Sequence, residues 1–155
     1  MTHDLPPAKA TSTESTSDSI IVSFDSRWEN IFLTKPISGF IRKRLPKTHK
    51  TKYVYFYFGG PSRQIAFRAS VREIAEIPVN TALSFATSLC ISRLEIRSYC
   101  EGTPTVGICK IHKIKKAHQP VSLEKLRSRL LFFPPQSFVI LGIEAKRIID
   151  QLAGF

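Results

Sequence analysis

The sequence predicts an α+β fold, in which five to six short strands with small interspersed helices wrap into a compact, partly open barrel. Three observations predict it. Two neighbouring stretches, "KYVYFYF" (52–58) and "RQIAFRASVREI" (63–74), alternate with the period of a strand around a Gly59-Gly60-Pro61 turn signal. The other strand-like runs are short and separated by helical patterns, in the order β-α-β-β-β-α-α-β-α-β-α, which suits a small barrel better than a doubly wound sheet. Finally, 43% of the 155 residues are hydrophobic, enough for one domain with a real core.

Residues 1–18, "MTHDLPPAKATSTESTSD", are rich in Ser, Thr and Pro and hold one large apolar residue after Met1. Burial cannot offset their ordering entropy, so 1–18 read as a disordered tail and 19–155 as the domain. "SIIVSF" (19–24) is a short buried strand. A helix follows, with Asp25 or Ser26 as N-cap, Trp28, Ile31 and Phe32 at helical spacing, and Pro36 beyond its end. "ISGFIRKRL" (37–45) is a candidate strand. In 52–58, Tyr53, Tyr55 and Tyr57 share one face, and Val54, Phe56 and Phe58 the other. In 63–74, Ile65, Phe67, Ala69 and Val71 point inward, and Gln64, Arg68 and Arg72 outward. Residues 79–101 read as two short helices meeting near Ile91-Ser92. Then come a strand over 105–117, a helix over 122–132 capped by Ser122, a buried strand over 136–141, and a terminal amphipathic helix over 144–152.

The net charge is +11. Residues 1–18 set three acids against Lys9 and carry −2, which leaves +13 on the domain. Such an excess favours a polyanionic partner, RNA or DNA. No apolar run reaches membrane-spanning length, and no lipidation motif or basic anchor helix stands out, so no membrane partner is expected. No secretory or transit signal opens the sequence, which points to a cytoplasmic protein. Cys90, Cys100 and Cys109 are odd in number and lack C-x-x-C spacing, so they read as buried thiols. Neither a metal site nor a cofactor is expected.

The stretch "RKRLPKTHKTKYVYFYFGG" (42–60) joins a cationic lip to an aromatic strand. Arg42, Lys43, Arg44, Lys47, Lys50 and Lys52 fall within eleven residues. A solvated hairpin loop is the plain reading. A second cluster favours a functional one: Lys110, His112, Lys113, Lys115 and Lys116 close the strand "CKIHKIKK". Together the clusters suggest a cleft that neutralises phosphates through Arg42, Arg44, Lys47, Lys50, Lys113 and Lys116, with Arg42 at its floor. Tyr55 or Tyr57 would stack one unpaired base. The competing reading packs these rings under a helix with their hydroxyls at its edge. No P-loop, HExxH or paired-carboxylate pattern is present, and none of His49, His112 and His118 has a recognisable catalytic partner.

"FFPPQSFVIL" (132–141) resembles the closing segment of ASCH domains, relatives of the PUA fold. "SFDSRWENIF" resembles their opening strand and helix, "RKRLP" with "KYVYFYFGGPSRQIAFRASVREI" their Arg-bearing strand and hairpin, and "ISRLEIRSYCEGTPTVGICKIHKI" their helix, Gly turn and returning strand. The resemblance spans about residues 20–141 and implies a small PUA-like barrel. Some ASCH relatives hydrolyse acetylated cytidine or cleave RNA. Their hallmark, G-x-K-x-x-E-x-R, is degenerate in this chain: counted back from Arg42, Lys35 stands at the Gly, Ile37 at the Lys and Phe40 at the Glu. Ile37 cannot act as a base and Phe40 cannot accept a proton. The expectation is therefore an RNA- or DNA-binding module, possible regulation included, rather than an amidohydrolase or metal-independent ribonuclease. Docking of an acidic protein partner is a third class.

Overall fold

The computed structural model describes residues 8–9 and 16–155. The strands are β1 (Ala8–Lys9), β2 (Thr16–Phe24), β3 (Gly39–Arg42), β4 (Tyr53–Phe58), β5 (Gln64–Pro78), β6 (Thr105–Ser122), β7 (Leu130–Leu131) and β8 (Phe138–Gly142). The helices are α1 (Arg27–Thr34), α2 (Val79–Leu83), α3 (Ala86–Leu89), α4 (Arg93–Tyr99), α5 (Leu123–Arg129) and α6 (Ile143–Ala153). Most of the tail expected over 1–18 lies outside the described residues. Strand β2 begins at Thr16, and the Ser17 hydroxyl donates to the Leu141 carbonyl at 3.0 Å.

Six strands form one mixed sheet in the order β3-β6-β5-β4-β2-β8, while β1 pairs in parallel with β7. Within the large sheet β2 and β4 run parallel and every other pair is antiparallel. The fold is α+β, as expected. Hydrogen-bonded closure into a barrel is not found: among the described residues no pairing joins the edge strands β3 and β8. The sheet nonetheless curls strongly. Phe24 of β2 and Phe40 of β3, with three strands between them in the sheet, bring their rings to 5.4 Å.

Curling encloses an aromatic inner core. Phe24, Phe32, Phe40, Phe56, Phe58 and Phe67 contact one another edge to face or tilted, with α1 closing one side through Trp28 and Phe32. A second core lies on the outer face of β2, β4 and β5. There Ile21, Tyr55, Tyr57 and Ile65 are covered by Leu126 of α5 and by Ala145, Ile148 and Ile149 of α6. A third core seats the short helices against the other end of the sheet, around Ile41, Leu89, Ile96 and Ile108.

Local sequence explains most boundaries. Ser122 and Ser92 cap α5 and α4, their hydroxyls accepting from the N–H of Lys125 and Glu95. Residues 79–101 hold three helical pieces instead of two: Cys90, left-handed at φ 56°, ends α3 just before the expected junction, and a further break at Ser84-Phe85 separates α2 from α3. Strands β5 and β6 are longer than the alternation suggested, 15 and 18 residues, because register shifts interrupt their period.

Candidate nucleic-acid interface

Arg42 ends β3 opposite Gly107 of β6. Its guanidinium is engaged by the chain's own backbone. Nη2 donates to the Ser23 carbonyl and Nη1 to the Ile41 carbonyl, both at 2.8 Å. The group lies 4.2 Å over the Phe24 ring and 5.5 Å from that of Phe40. Burial holds its pKa below the ordinary arginine value, against the opposing pull of Tyr99 and Asp25. Arg42 is thus a latch across the sheet's curl, tying β3 to β2. It also lines a cavity of about 240 Å³ with Trp28, Asp25, Glu95 and Tyr99.

Directly after this latch the chain leaves the sheet, and Lys43, Arg44 and Lys47 border a larger cleft of about 610 Å³. Leu45, Ile74, Ala75 and the half-buried Phe138 supply apolar lining, and Gly107 permits the close approach of the loop. A Cβ at Gly107 would lie 2.9 Å from the Arg42 carbonyl oxygen and 3.1 Å from Leu45 Cδ1. Glu76 is the acid in the lining. It pairs with the exposed Lys47 at 3.6 Å and accepts from the Thr105 hydroxyl at 2.7 Å. That hydrogen bond, followed by the Lys47 charge, lowers its carboxyl pKa.

The loop then climbs across the mouth of the sheet. His49 is held by the Ser17 carbonyl at 2.7 Å, and the Lys52 carbonyl accepts from Val71 N–H at 2.7 Å. Val71 pairs in turn with Ile111. Lys52 and the His112–Lys113 segment are therefore separated by a single strand. Lys113 and Lys116 do not line the cleft with Arg44 and Lys47. Lys113 is six residues beyond Gly107 along β6, about 20 Å at strand rise, and Lys116, opposite Phe67, is further still. The two basic segments are thus not brought together in one cleft: the lysines of β6 lie along the strand away from Lys47, and Lys52 stands one strand from His112. Arg44, Lys50, Lys113 and Lys116 are exposed and make no ion pair among the described residues.

Tyr55 and Tyr57 cannot stack a base. Tyr55 is 0% exposed and Tyr57 3%, because α5 and α6 cover their face of the sheet. The Tyr55 hydroxyl donates to Asp150 at 2.5 Å, and Arg68 pairs with the same carboxylate at 3.5 Å. Burial and that carboxylate push the Tyr55 phenol far above its usual pKa. Arg68 lies on the outward face as expected, but α6 covers that face and sets it against the rings of Tyr53 and Phe155. The packing alternative weighed for these tyrosines is the one observed.

Phe138 is the aromatic residue that the sequence reading left in the core. The Pro134-Pro135 pair delays the last strand to Phe138, so its first ring stands at the sheet edge, beside the cleft. At the degenerate hallmark, Ile37 and Phe40 are 4% and 3% exposed and fill the inner core, with the Phe40 ring 5.8 Å from that of Phe56. No cluster of metal-binding side chains occurs among the described residues, and no described helix is long and apolar enough to cross a membrane.

No protein-family model matches the chain, and no curated protein does. Solved structures do. The ASCH protein of Zymomonas mobilis superposes with a TM-score of 0.78 at 22% identity, over 87% of this chain and 95% of that one. A single-residue variant of it gives 0.79 at 20%, over 89% and 98%. The N-terminal domain of Staphylothermus marinus McrB is more distant, with a TM-score of 0.59 at 10% identity, over 94% of this chain and 98% of that one. These superpositions, over nearly the whole of both chains, show that the chain shares the fold of the Zymomonas mobilis ASCH protein.

Proposed function

We propose that the chain is a nucleic-acid-binding module that takes a single strand, RNA before DNA, along a track from Arg44 and Lys47 through Lys50 to Lys113 and Lys116. The observation that carries this reading is the 610 Å³ cleft, bordered by Lys43, Arg44 and Lys47 and lined by Leu45, Ile74 and Phe138. A cationic border holds phosphates, and an apolar lining with one ring accepts an unpaired base, a combination that a merely solubilising surface has no need of. Phe138 takes the stacking role first assigned to Tyr55 and Tyr57. The ASCH likeness makes RNA the first ligand to test. A regulatory role would follow from such binding, without chemistry on the strand.

The test is a fluorescence titration of a short single-stranded RNA at several salt concentrations. Contact with about four phosphates gives a log K against log salt slope near −3. Lys47→Glu/Lys50→Glu reduces the affinity and flattens the slope by about 1.4. RNA that co-purifies after nuclease-free lysis should be depleted on the double variant. A slope near zero, or equal RNA on both proteins, removes the reading.

A further inference from the structure

Strands β5 and β6 slip register twice around the pair Ser70 and His112. Between the pairs Val71–Ile111 and Glu73–Lys110, Arg72 is an extra residue on β5. Between Arg68–Lys115 and Ser70–His112, β6 sets Lys113 and Ile114 against Ala69 alone. Lys113 takes φ 51°, a left-handed conformation unfavourable for a lysine and one that bulges use to redirect side chains. Ile114 stays packed against the inner core, while Arg72 and Lys113 are exposed and His112 is half-buried.

We propose that Arg72, His112 and Lys113 form a phosphate-binding site in which an anion is held with uptake of a proton by His112. It rests on the nucleic-acid reading, since the phosphate is a phosphodiester of the bound strand. Neither Arg72 nor Lys113 is ion-paired among the described residues. The nearest acid along β5, Glu73, is engaged by Lys110 at 3.4 Å. The groups around His112 are therefore Arg72 and Ser70 on β5, Lys113 and Lys110 on its own strand, the Glu73 carboxylate that Lys110 holds, and, one strand further, Lys52 and Tyr53. Two cations, an ionisable imidazole and no carboxylate of their own make an anion site.

Desolvation, then the charges of Arg72 and Lys113, hold the His112 imidazole below its ordinary pKa. It is neutral near pH 7 in the unbound protein. A phosphate between the three groups cancels the repulsion and favours the imidazolium, so binding takes up a proton. By linkage, affinity rises as pH falls from the neutral range toward the pKa of the unbound imidazole, and levels off below it.

The experiment measures binding of an oligouridylate, whose bases do not titrate in this range, at constant ionic strength from about pH 8 to about pH 5.5. Wild-type affinity should rise severalfold toward acid. His112→Asn should be flat, at the wild-type alkaline value. Arg72→Ala/Lys113→Ala should lose the pH dependence and about 1.4 of the salt slope. An NMR titration of His112 should show its pKa rise on adding the oligonucleotide. Salt-dependent binding that is flat with pH in the wild type, or that keeps its pH dependence in His112→Asn, overturns this site and leaves the nucleic-acid reading standing. Absence of salt-dependent binding at every pH overturns both.

Discussion

Arg42→Met separates a latch from a ligand contact. Methionine keeps an unbranched stem over the Phe24 and Phe40 rings but has no donor for the Ser23 carbonyl. Loss of a charge-assisted hydrogen bond costs about 1.5–3 kcal/mol. The guanidinium over Phe24, at 4.2 Å, contributes about 0.5–2 kcal/mol. Relief of the arginine's desolvation offsets part of this, leaving a net loss of about 2–3 kcal/mol. In a chain of this size that lowers Tm by roughly 4–12 °C. Urea denaturation should show the same loss with an unchanged m-value, and RNA affinity at a temperature where both proteins are folded should stay within about twofold, since 0.4 kcal/mol corresponds to that factor. Wild-type stability combined with lost RNA binding would refute the latch and return Arg42 to the ligand.

Other variants probe other parts of the molecule. Tyr55→Phe removes the hydroxyl that donates to Asp150 and should cost about 1–3 kcal/mol in denaturation, with RNA affinity unchanged. Phe138→Ala should weaken RNA binding by about 1–3 kcal/mol while keeping the salt slope, the pattern of a lost stacking platform. Gly107→Ala forces a Cβ to 2.9 Å from the Arg42 carbonyl oxygen and should destabilise the fold by about 1–3 kcal/mol, measured by thermal melting. In thiol titration, the half-buried Cys90 should react first. Cys109, whose pKa burial pushes up to about 12, should react only on unfolding.

The fold was legible because period and punctuation agree along most of the chain. The tyrosine–phenylalanine alternation in β4, the serine caps of α4 and α5, and the ordered ASCH-like segments all pointed to one architecture. What escaped was non-local. Nothing in "KYVYFYF" says that α6, ninety residues on, supplies Asp150 to Tyr55, and so which strand face meets solvent. Arg42 looked like one more cation because its partners, Phe24 and the Ser23 carbonyl, come from a strand brought near only by the sheet's curl. The bulges that lengthen β5 and β6, and set Arg72 and Lys113 beside His112, break the very period from which strands are read. The most informative local signal was the pair Ile37 and Phe40, apolar at the positions where the ASCH resemblance leads one to expect Lys and Glu, and both are core residues.

Strand β8 lies beside β2 in the sheet. During translation, one flank of the first long strand therefore waits until the distant β8 has been made. Until Gly142 clears the ribosome, Ile20 to Val22 present an unsatisfied backbone row to the cell. A stop codon shortly before Phe138 would make that exposure permanent, and the released fragment should self-associate through this seam.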